Sequence, residues 1–114
     1  MTEIIDTIQN ELREGTLVND PHGCAEKVAI LSGELSFYFG MIAEIEKKRP
    51  DEWLEMRNSG KYKSDAATDR AYRLTECGRE LDWYQSRIKR LLALLRGLKT
   101  LIRVSELEIQ NLGK

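Results

Sequence analysis

The amino-acid sequence predicts an all-α fold: a helical hairpin or bundle with a long, coiled-coil-like C-terminal helix, assembled as an oligomer. Three observations predict it. Charged residues make up 32% of 114 positions and prolines number two, a composition of solvated helices rather than loops. Apolar residues recur in steps of three and four along most of the chain, the period of a helix face. The final heptad pattern lasts about seven repeats, more than a single compact domain can wrap. The length itself is that of one domain.

The first element is a short helix over 1–15. Thr2 is placed to cap it, Ile4, Ile5, Ile8 and Leu12 form its stripe, and Gly15 suits its end. A connector, TLVNDPHG, follows. Asn19 or Asp20 can cap the second helix, expected over 21–48, with Pro21 in its first turn. Val28, Leu31, Leu35, Tyr38, Ile42 and Ile45 form a complete heptad seam, extended backwards by Cys24. A small-residue stripe, Ala29, Gly33, Ser36, Gly40 and Ala43, predicts a close helix neighbour on another face, with Phe37 and Phe39 beside it. Arg49-Pro50 is expected to end this helix, because the residue before proline is pushed from helical geometry. Residues 49–63 then read as a basic, aromatic connector.

The last helix is expected over 64–112, capped by Ser64 with Asp65 at its positive end. Ala67, Leu74, Leu81, Ile88, Leu95, Ile102 and Ile109 take the a positions. Arg70, Cys77, Tyr84, Leu91, Leu98, Ser105 and Leu112 take the d positions. Twelve of these fourteen are apolar. Unbroken, the helix would span about 72 Å, against a radius of gyration near 13 Å for a domain of this size. Gly78 and Gly97 are its expected weak points. Leu92, Leu94 and Leu101 widen the apolar face beyond one neighbour, which points to a homo-oligomer; a monomeric three-helix bundle is the alternative.

The formal charge of −1 conceals a split. Residues 1–46 carry a net −7 and residues 47–114 a net +6. Such asymmetry fits nucleic-acid contact or acid–base pairing between packed helices. Between Asp82 and Glu106 there are six basic residues and no acidic one. Of these, Lys89, Arg96 and Arg103 share one heptad position with Lys99 close by, a stripe about 21 Å long. It is either a phosphate track giving salt-dependent, sequence-neutral affinity or a solvated helix face. A second basic cluster holds Lys47, Lys48, Arg49, Arg57, Lys61 and Lys63, interleaved with Trp53 and Tyr62. Cations beside exposed rings suit single strands. Tyr62 is the better stacking candidate, and Trp53 reads as core or platform.

Catalytic patterns are missing. His22 stands alone, Cys24 and Cys77 read as reduced packing residues, and neither a zinc-ligand spacing nor a phosphate-binding glycine motif occurs. No enzyme activity, metal or cofactor is therefore expected. The N-terminus lacks a signal-peptide pattern, and the longest apolar run is LLALL. This predicts a cytoplasmic protein and no membrane partner.

The stretch KSDAATDRAYRLTECGRELDWYQSRIKRLLALLRGLKTLIR resembles small helical proteins of phage recombination regions. The layout of residues 25–112 is more remotely similar to the UvsY family of phage recombination mediators. In that family a basic, aromatic, glycine-containing segment precedes a final helix that assembles the oligomer. The resemblance places RNSGKYKS in that segment and Tyr84 through Leu112 in the final helix. It implies single-stranded DNA binding, help in loading a recombinase against a single-strand-binding protein, and a bacterial host cytoplasm. Arg57, Lys61, Tyr62 and Lys63 would contact DNA. The alternative function is a coiled-coil adaptor, or an inhibitor of a host defence enzyme.

Overall fold

A computed structural model describes residues 2–112, and the side chains of residues 4–110. The described residues form four helices: α1 (Thr2–Glu14), α2 (Pro21–Asn58), α3 (Asp65–Arg73) and α4 (Glu76–Leu112). The all-α class and the long C-terminal helix are thus observed. The capping expected of Thr2 and the seam position of Leu112 lie outside the described side chains.

The chain folds as two compact units that share α2 and α4. Unit one is Met1–Leu35 with Lys89–Lys114; unit two is Ser36–Ile88. In unit one, Gly15 ends α1 with φ +77° and Asn19 adopts φ +66°, the left-handed values that helix ends favour. Asp20 caps α2: its carboxylate accepts from the Gly23 N–H at 3.0 Å and its carbonyl from the Cys24 N–H at 3.0 Å. Ile5, Ile8, Leu17, Cys24, Leu31, Leu91, Leu94, Leu95 and Leu98 make the core. Gly97 lies under α1, where an added Cβ would stand 3.6 Å from a Leu12 methyl. It does not break α4.

In unit two, α2 does not stop at Arg49-Pro50 but runs to Asn58. Pro50 removes the hydrogen bond to the Glu46 carbonyl, yet tertiary anchors hold the next turns. The Trp53 indole N–H donates to Asp69 at 2.7 Å and Arg57 Nε to Asp65 at 2.8 Å, both on α3. The connector therefore shrinks to 59–64, turned by Gly60 at φ +77°.

The helix expected over 64–112 is divided in two, close to Gly78, one of its expected weak points, while Gly97 lies inside α4. Ser64 caps α3 by accepting from the Ala67 N–H, but the chain leaves the helix at Leu74 and Thr75. Thr75 starts α4: its carbonyl accepts from the Arg79 N–H at 2.9 Å and its hydroxyl oxygen from the Gly78 N–H at 3.2 Å. The same hydroxyl donates back to the Tyr72 carbonyl at 2.6 Å. Gly78 permits the corner, because a Cβ there would stand 2.2 Å from the Tyr72 carbonyl oxygen. Leu74, expected in the seam, is 70% exposed at the break. Arg70 is exposed too, whereas Leu81 through Ser105 keep the a and d pattern largely buried.

The small-residue stripe of α2 has no close neighbour among the described residues. Ala29, Gly33, Ser36, Gly40 and Ala43 are exposed, and a Cβ on either glycine would meet nothing within 4 Å. Of the described helices, α2 alone is long and apolar enough over 18 residues to cross a membrane by length and composition (mean hydropathy 1.4). That is weak evidence, since a soluble protein's helix passes the same test.

Candidate nucleic-acid interface

The basic residues of the stretch 87–103 separate by the work they do. Arg87 belongs to unit two. Its guanidinium lies 4.3 Å from the Trp83 ring centroid, and its Nε donates to the Tyr38 hydroxyl at 3.1 Å. Arg90 belongs to unit one, where it ties α4 to α1 by donating to Gln9 at 3.1 Å and pairing with Asp6. Part of the charge split is thus acid–base pairing within the fold. Lys89, Arg96, Lys99 and Arg103 are exposed, and no ion pair engages them among the described residues.

Three of these four stand together. Arg96, Lys99 and Arg103 line an open groove of about 550 Å³ between α2 and α4 of unit one. Its apolar lining is Leu35, Leu92 and Leu95, and Ser32 and Thr100 add hydroxyls. The spacing 96, 99, 103 sets the cations on one helix face. Leu92 is 44% exposed, so the groove offers apolar surface beside the charges. Cations hold phosphates, and apolar surface receives bases. Lys89 continues the face but is not among the lining residues.

The connector residues fare differently. Arg57 donates to the Tyr62 carbonyl at 3.2 Å as well as to Asp65, so it clamps the 59–64 turn. Tyr62 is half-buried, less open than a stacking platform needs. Lys61 and Lys63 are exposed on the turn, and Lys48 is exposed on α2. Arg49 sits inside α2, 3.6 Å from Glu46 and 5.6 Å from the Tyr72 ring centroid. The structure gathers Arg57, Lys61, Tyr62 and Lys63 at one turn of unit two, and Lys89, Arg96, Lys99 and Arg103 on one face in unit one.

Sequence reasoning missed the aromatic cluster of unit two. Tyr38 packs against Phe37, Trp83 and Tyr84 with ring centroids 5.6–5.9 Å apart, and Trp83 is 50% exposed. The spacing Trp83-x-x-x-Arg87 was its legible sign, since i and i+4 are neighbours on a helix.

The thiols are held neutral. Burial, then the nearby Asp20, pushes the Cys24 pKa up, and its thiol donates to the Leu17 carbonyl at 3.6 Å. Burial, then the hydrogen bond to Glu52 at 3.6 Å, does the same for Cys77. Neither is primed as a nucleophile. His22 makes an exposed pair with Glu26 at 3.1 Å. Among the described residues no three His, Cys, Asp or Glu side chains are grouped to hold a metal ion. No protein-family profile, curated protein or solved structure matches the chain.

Proposed function

We propose that this chain is a non-enzymatic, homo-oligomeric accessory protein of phage-type DNA recombination or replication, which binds single-stranded DNA and assists recombinase loading. The observation that carries the reading is the unit-one groove: Arg96, Lys99 and Arg103, unpaired, beside exposed leucine surface. Phosphates of any sequence fit such a row, and oligomerisation multiplies weak contacts into avidity. The mediator role rests on the resemblance in layout to the UvsY family.

Fluorescence anisotropy with labelled single strands at two salt concentrations tests it. The triple substitution Arg96→Glu, Lys99→Glu, Arg103→Glu is expected to cost at least about tenfold in affinity and to flatten the salt slope by about two to three counterions. Binding that ignores salt, or survives charge reversal, ends the DNA reading. If Lys61→Ala, Tyr62→Ala and Lys63→Ala together cost more than the groove substitution, the turn is the contact instead.

A second reading is a protein–protein adaptor or an inhibitor of a host defence enzyme. In unit two, Phe37 is 58% and Phe39 52% exposed, on an uncharged stretch from Ser36 to Ala43. Exposed aromatics of this kind favour a protein partner. Phe37→Glu with Phe39→Glu discriminates the readings: strand affinity survives it if the groove alone binds DNA, whereas an adaptor loses its partner.

A further inference from the structure

The outward face of α2 is apolar and open. The most apolar window of 18 residues in this helix is only 22% buried. From Val28 to Ala43 the single charged residue is Glu34, and it is 8% exposed. The exposed residues of this stretch therefore carry no charge, in a chain that is 32% charged. Open apolar surface of this kind marks an interaction site.

Its shape suits another helix. At about 100° per residue, Ala29, Gly33, Ser36, Gly40 and Ala43 form a low floor along the helix. Ile30 and Phe37 rise on one side of it and Phe39 on the other, and they are 41%, 58% and 52% exposed. Small side chains at a contact let two helix axes come close, and the flanking rings then close over the neighbour. The same floor offers little apolar depth to lipid chains.

Charge at the two ends names the occupant. Glu26 and Lys47 bound the uncharged stretch on the outward face, about 32 Å apart, and both are exposed. Among the described residues Glu26 pairs with His22 alone, at 3.1 Å between exposed side chains, and Lys47 has no ion pair. Laid antiparallel on a second copy of itself, α2 sets Glu26 opposite Lys47. The same register sets Gly33 opposite Gly40 and His22 opposite Asp51, because the members of each pair lie equally far from the midpoint between Ser36 and Phe37. A parallel pair would oppose Glu26 to Glu26 and Lys47 to Lys47, which repel. An anionic lipid surface would meet Glu26 and Glu44 as like charges.

We propose that α2 pairs antiparallel with α2 of a second copy, about a two-fold axis between Ser36 and Phe37, with Gly33 against Gly40 at the closest approach and Glu26 paired with Lys47 at both ends. The pairing rests on the homo-oligomeric part of the proposed function and supplies its contact; it is independent of strand binding. One helix on one helix is a small interface, so the affinity belongs in the micromolar range.

Sedimentation of the full chain at about 10–100 μM tests the pairing. A dimer is expected. Ser36→Arg, at an exposed position that spares the fold, is expected to weaken it at least about tenfold, because it buries an unpaired charge. Glu26→Lys and Lys47→Glu are each expected to weaken the dimer about threefold or more, and together to restore it. Disulfide formation reads the register. Gly33→Cys and Gly40→Cys are placed in separate chains, each with Cys77→Ala, since Cys24 is fully buried. Mixed under mild oxidation, the two are expected to give a linked dimer that neither gives alone. Like positions lie about 10 Å apart along the axis, beyond disulfide reach. Linkage as fast in either variant alone overturns the antiparallel register. A dimer or larger species indifferent to Ser36→Arg overturns the α2 contact and leaves the homo-oligomer standing, whereas a monomer overturns both. Binding to vesicles of phosphatidylcholine with phosphatidylglycerol, lost in Ser36→Arg while the chain in solution is monomeric, makes lipid the occupant and overturns the pairing.

Discussion

Gly40 and Gly78 are chemically identical and structurally opposite. A Cβ at Gly78 would stand 2.2 Å from the Tyr72 carbonyl oxygen and 2.7 Å from the Arg73 Cα, both backbone atoms. Gly78→Ala is therefore expected to destabilise the fold by about 1–3 kcal/mol, the cost of overpacking. Gly33 and Gly40 are helical and open, so alanine there should stabilise by about 0.5–1 kcal/mol. Urea unfolding of the three variants checks the contrast, and a shared sign contradicts it. Cys24, Cys77 and Tyr72 share one direction of shift, each raised chiefly by burial above ordinary values of 9.0 for the thiols and 10.0 for the phenol. Such groups bind protons more tightly folded than unfolded. Their contribution is complete below about pH 9 and is lost as pH rises through the higher folded values. Urea midpoints are expected to be level in this respect from pH 7 to 8 and to fall above pH 9. With both thiols changed to alanine, the fall between pH 9 and 10 should shrink, leaving the part due to Tyr72.

At the scale of elements, the seams are legible in the sequence, and of the breaks only the weak point at Gly78 is. Val28 through Ile45 and Leu81 through Ser105 announce their buried faces by spacing alone, because burial follows the helix period. Pro50 misleads. Its local preference to end α2 is outweighed by Trp53 and Arg57 reaching Asp69 and Asp65, contacts between segments that spacing does not reveal. The corner between α3 and α4 misleads in the other direction. Nothing in the heptad pattern interrupts at Leu74, yet Thr75 caps a new helix there. Thr75→Ala removes that cap and is expected to cost about 1 kcal/mol. Thr75→Ser keeps the hydroxyl and should recover most of it, with thermal melts as the measure. If alanine and serine behave alike, the cap is not what sets the corner.

At the scale of the molecule, the near-neutral charge is divided between structure and surface. Arg57 and Arg90 pair with Asp65 and Asp6, while Arg96, Lys99 and Arg103 stay exposed along a groove. The stripe was readable from sequence as a row of like charge on one helix face. The leucine lining beside it was not, since Leu35 arrives from α2. Self-association belongs to this scale as well. Phe37, Phe39, Val104, Leu107 and Ile109 are 45–64% exposed, and a dimer or larger species is the expected result of sedimentation at tens of micromolar, within ordinary association affinities. A monomer there rejects it. The sequence by itself determined the helical class, the buried seams, the cap at Ser64 and the row of cations, because each follows from residues a few positions apart on one helix. Only the tertiary structure decided that α2 passes Pro50 and that the chain turns at Thr75. Those outcomes depend on contacts between segments distant in sequence, whose energies exceed the local preferences they override.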